Sequence, residues 1–86
     1  MILVSAKGRC TYACGSVRFA VPDKWVHERD VWLDWTIAPS GHGTPRVFLN
    51  ERAVPRAMRQ AVVAAVLSVV SQLPVEGSAV VSKEVR

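Results

Sequence analysis

An α+β fold, an antiparallel sheet of four to five strands with one long helix packed across it, is what this sequence predicts. Three observations carry that expectation. Short segments in the first half alternate apolar and polar side chains, one later run repeats its apolar residues at helical spacing, and 86 residues leave room for one hydrophobic core. Residues 1–86 are therefore read as a single domain. Half of the residues are hydrophobic and 21% are charged, a composition that folds and argues against disorder.

An apolar run opens the chain at residues 2–6, and Lys7-Gly8 offers a two-residue turn. Residues 9–14 alternate, with Cys10, Tyr12 and Cys14 on one face, and Gly15-Ser16 reads as a turn or a bulge. Val17, Phe19 and Val21 form a half-buried strand that Pro22-Asp23 ends. The best-defined strand places Val31, Leu33, Trp35 and Ile37 on one side and Trp32, Asp34 and Thr36 on the other. Turn residues fill 38–45, and residues 46–50 return as a short strand. A helix is expected over 55–73, starting at Pro55, where the missing amide costs nothing, and stopping before Pro74. Met58, Val62, Ala65, Val66, Val69 and Leu73 form its sheet-facing stripe. Residues 78–85 make a final short strand.

The ends and the cysteines bear on location. No basic leader precedes a long apolar core at the N-terminus, so no secretory signal is expected. The most apolar stretch, residues 61–70, is interrupted by Ser68 and falls short of the roughly 20 residues that cross a bilayer, so no membrane partner is expected. Cys10 and Cys14, four apart, would lie about 13 Å from each other on a strand, too far for a disulfide. Two reduced thiols point to the cytoplasm.

Catalytic and metal chemistry find little purchase. Cys10, Cys14 and His27 match three ligands of a zinc-finger spacing, but His42 lies too far downstream to be the fourth, and no metal or other cofactor is expected. Ser40, His42 and Asp34 do not make a convincing triad, because a histidine between Gly41 and Gly43 is not held rigidly. No catalytic residue is assigned, and the chain is not expected to be an enzyme.

The arginines are more informative. Arg46, Arg52, Arg56 and Arg59 fall within fourteen positions that hold one acid, Glu51, in a chain of net charge +4. Near a helix start, Arg52, Arg56 and Arg59 oppose the helix dipole by a few tenths of a kcal/mol each, roughly, and an anion from a partner would reverse that repulsion. Trp32 should face away from the core and offers a partner contact, whereas Trp25 is expected to close the bottom of the core. Val63, Leu67 and Val70 fall near the far side of the helix and suggest self-association as a homodimer.

The expected arrangement of four antiparallel strands and a helix is similar to one used by some dimeric single-stranded-DNA-binding coactivators, and by many unrelated small proteins. Two functions compete. The first is a small non-catalytic protein-binding module or inhibitor that engages an acidic protein surface, of the size and motif-poor character of phage or mobile-element proteins that block host machinery. The alternative is a dimeric nucleic-acid binder that sets its arginine cluster on phosphates and stacks Trp32 on a base. A net charge of +4 is modest for the latter, and Glu28, Asp30 and Asp34 near Trp32 spoil an anion-binding surface, so protein binding ranks first.

Overall fold

The structure, a computed structural model, describes residues 1–39 and 45–85. Its strands are β1 (Ile2–Arg9), β2 (Tyr12–Pro22), β3 (Glu28–Pro39), β4 (Pro45–Leu49) and β5 (Ala79–Val85), and its helix is α1 (Arg59–Val70). The strands form one antiparallel sheet in the order β4-β3-β2-β1-β5, and α1 packs on one face of it. The expected α+β architecture is the one observed. Sequential hairpins build β1 to β4; the chain must then travel from one sheet edge to the other, about 19 Å at ordinary strand spacing. The connection that carries α1 over the core makes this crossing.

Alternation decides which face is covered. Val4, Val17, Phe19, Trp35 and Ile37 are almost wholly buried beneath Val62, Ala65, Val66 and Val69 of α1. Five of the twelve helical residues are valines, which lose side-chain freedom in a helix, so α1 owes its stability to this packing more than to propensity. The helix starts later than the expected Pro55. Pro55 instead precedes a 3-10 turn, Arg56–Met58, closed by the Met58 N–H on the Pro55 carbonyl at 2.8 Å. No capping side chain or first-turn acid is available to start regular α geometry earlier. At the other end, the Gln72 and Leu73 amides bond to Val69 and Val70, three residues back, which tightens the last turn before Pro74. No helix among the described residues is long and apolar enough to cross a membrane.

Two glycines expected in turns lie inside strands. β1 runs through Gly8 to Arg9, and the chain turns at Cys10-Thr11. Gly8 has φ +128°, and a Cβ there would sit 2.5 Å from the Tyr12 carbonyl oxygen. β2 likewise runs through Gly15-Ser16. Both cysteines are free, Cys10 half-buried and Cys14 exposed on β2. The Cys10 N–H donates to the Pro74 carbonyl at 3.0 Å, tying the β1–β2 turn to the segment after the helix.

Candidate functional site

Among the described residues, no element covers the sheet face away from α1. Its register sets Arg18 of β2 beside Trp32 of β3, and Thr36 of β3 beside Phe48 of β4. Trp32 is 59% exposed and Phe48 50% exposed. Each lies under a guanidinium: Arg18 sits 5.1 Å from the Trp32 ring centre and Arg46 sits 5.3 Å from that of Phe48. Such stacking restrains both partners at an exposed site, where it contributes about 0.5–1 kcal/mol. Between the aromatics and β5 lies a shallow depression of about 470 Å³ floored by small residues, among them Ser5, Cys14, Gly15 and Ser16, with Val80 at its margin. Ser5 and Ser82 hydroxyls meet at 3.3 Å across β1 and β5.

Charge on this face is mixed. Lys7, Arg18 and Arg46 share it with Glu28, Asp30, Asp34 and Glu84. It does not present a uniformly positive surface.

The four arginines of the sequence cluster are distributed over three environments. Arg46 lies on the open sheet face and, with Arg52, lines a groove of about 420 Å³ along β4 and the following 3-10 turn, Glu51–Ala53. Arg56 is exposed at the start of the helical segment. Arg59 turns back on its own chain, its Nε donating to the Val54 carbonyl at 3.3 Å. The single ion pair among the described residues lies elsewhere, so none of the four is neutralised by a described carboxylate.

Val70, expected on the outer side of the helix with Val63 and Leu67, is instead core, only 3% exposed. It follows Val66 by four positions, about one turn, and so shares the buried side. Val63 and Leu67 are half-buried, and the outward surface is made by Gln60, Ala61, Ala64 and Ser68. The apolar outer stripe therefore narrows to two flanking residues. Ser40, Gly41, His42 and Gly43 lie outside the described residues. Among the described ones, no three His, Cys, Asp or Glu side chains group as a metal site would require.

Trp25 does not close the core; it is 89% exposed at the tip of the β2–β3 hairpin, next to the exposed Val26. Asp23 shapes that tip. Its Oδ1 accepts the Trp25 and Val26 amides at 2.8 and 3.3 Å, and its Oδ2 meets Arg29 Nε at 3.2 Å. The bond from the Trp25 amide, then that from Val26, and then the Arg29 charge hold the carboxyl below its ordinary value of 3.8. A carboxylate whose pKa falls on folding stabilises the fold above the ordinary value, and that contribution is lost as pH falls through the lowered one. The Trp25 amide proton resonance should accordingly titrate with an apparent pKa below 3.8. A midpoint at or above the ordinary value would contradict this geometry. The sequence signal for the turn was Pro22-Asp23, an acceptor side chain two residues before the amide it binds.

A small α+β domain with one bare, aromatic-bearing sheet face is what the fold and site define. No protein-family model, curated protein or solved structure matches the chain.

Proposed function

We propose that this chain is a small non-catalytic protein-binding module, acting as an adaptor or inhibitor, and that the open sheet face is its contact surface. The observation that carries this reading is the pair of exposed aromatics, Trp32 and Phe48, each held under an arginine on a face that no described element covers. Trp and Arg dominate the energetics of protein interfaces, and rings already restrained by a stacked cation lose less freedom when a partner closes over them. The shallow depression beside them can seat a partner side chain. At the β4 end, Arg52 and Arg56 are exposed, and with the Phe48-stacked Arg46 they can meet an acidic patch of that partner.

Stacked aromatics and guanidiniums are also what single-stranded nucleic acid uses, which supports a second reading. Against it stand Asp30 and Asp34, which flank Trp32 on the same face of β3 and repel a phosphate chain. The two readings part in a salt titration. A labelled single-stranded oligonucleotide at low ionic strength should show no saturable binding. Tight binding that weakens steeply with salt would replace the protein reading with the nucleic-acid one.

A further inference from the structure

β3 is twelve residues long and its two neighbours use it unequally. β2 pairs with it from Glu28 to Ile37, whereas β4 pairs only with Trp35 to Pro39. Over residues 28–34, about 23 Å at strand rise, the side of β3 away from β2 therefore has no described strand beside it. No backbone hydrogen bond among the described residues supplies a substitute. The segment that leaves β4 bonds within itself, Ala53 to Asn50, Val54 to Glu51 and Met58 to Pro55.

The two outer strands of the sheet carry protection that this stretch has only at its start, where Arg29 lies on the helix-facing side in register with Val21 and meets Asp23 at 3.2 Å. β4 is five residues long and begins with proline, and β5 places Lys83 on the helix-facing side, in register with Val4. Residues 28–34 of β3 have neither proline nor lysine. Their side chains are sorted by face. Glu28, Asp30, Trp32 and Asp34 are exposed on the open face, while Val31 and Leu33 lie half-buried at the margin of the core. None of the three carboxylates has a described ion-pair partner. A second copy of the chain is a poor occupant. The self-pairing that uses the whole stretch, two-fold about Val31, sets Glu28 against Asp34 at both ends, and like charges directly opposite destabilise a strand pair.

We infer that this edge of β3 accepts an extended, basic segment of a partner protein by strand addition. Backbone hydrogen bonds to the free edge supply affinity. Alternate lysine or arginine side chains of the incoming strand lie beside Asp30 and Asp34, and the apolar residues between them cover Val31 and Leu33. The inference rests on the protein-binding reading and adds to it the backbone edge of β3, the strand that also carries Trp32, at a distance from the arginine end of that surface. Arg46 pairs with Ala38, eight residues along β3 from Asp30, or about 26 Å.

The probe is a synthetic peptide of about nine residues alternating lysine and valine, added to the full chain and followed by amide resonances and hydrogen exchange. Saturable binding with new protection of alternate amides within residues 28–34 is expected. N-methylation of the peptide on one alternating set of amides should abolish that protection, and methylation of the other set should not. Joint Asp30→Lys and Asp34→Lys substitution should weaken binding about tenfold or more. A glutamate–valine peptide should not bind. Absence of saturable binding, perturbation centred elsewhere, or equal binding of both methylated peptides would each overturn the inference. The methylated peptides decide the matter on the unaltered protein even if the lysine variant fails to fold. A negative result here leaves the aromatic face to be judged by its own variants.

Discussion

Trp35→Ala is expected to remove a large share of the folding free energy of this protein. The indole is 1% exposed between the sheet and the helix layer, and its Nε1 donates to the Ser16 carbonyl at 3.0 Å. Truncating a buried tryptophan costs about 3–5 kcal/mol through lost transfer energy and residual cavity. A chain of this length has on the order of 4–13 kcal/mol in total. Trp35→Phe keeps an aromatic ring in the site but removes the donor to Ser16, at a cost of about 1–3 kcal/mol. Urea unfolding followed by circular dichroism should show the alanine variant with a much lower midpoint and the phenylalanine variant in between. A loss below about 1 kcal/mol for alanine would mean that the site collapses freely, contrary to the packing described.

Gly15→Ala is the second large effect, and it arises from contact with the neighbouring strand where a turn glycine would be penalised for its backbone conformation. A Cβ at this position would overlap the Ser5 carbonyl oxygen of the neighbouring strand and come within 3.0 Å of Trp35 Cζ2. Neither obstacle is the end of a flexible chain, so β1 and the indole must both move. Overpacking of this kind costs about 1–3 kcal/mol and more where backbone is displaced. Gly77→Ala provides the comparison. It has φ +78° but open space around it, so only the backbone conformation is penalised, about 1–2 kcal/mol. Denaturant midpoints should rank Gly15→Ala below Gly77→Ala, and both below the unaltered chain. The reverse order would show that the Gly15 contact relaxes without cost.

The same glycine illustrates what could be read from the amino-acid order and what could not. The alternations Val17-Phe19-Val21 and Val31-Leu33-Trp35-Ile37 identify strands because side chains on a strand have a period of two, and all seven lie on the helix-covered side. The helical stripe from Val62 to Leu73 is legible for the corresponding reason. Gly8 and Gly15 mislead because glycine serves a turn and a close backbone approach equally well, and only the neighbouring strand distinguishes them. Trp25 misleads because its hydrophobicity suggests burial, whereas Asp23 fixes a tip that projects it outward. The arginines are near one another in sequence, but a strand, a 3-10 turn and a helix start aim them differently, and Arg59 spends its donor on Val54. The arginine-capped rings were half legible. Alternation puts Trp32 on the outer face, but its pairing with Arg18 depends on the β2–β3 register, which no local pattern specifies.

The central claim is that the bare sheet face, through Trp32 and Phe48, binds a protein. Its most direct test is the affinity of a purified partner, captured from the source cells on the unaltered chain, for the Trp32→Ala/Phe48→Ala variant. Both rings are half exposed or more, so the variant should fold with little loss of stability, verifiable by circular dichroism. If the rings anchor the interface, titration calorimetry should show the dissociation constant rising by about 30-fold or more, the effect of losing an interface hot spot. A folded variant that binds the same partner with unchanged affinity would contradict the account.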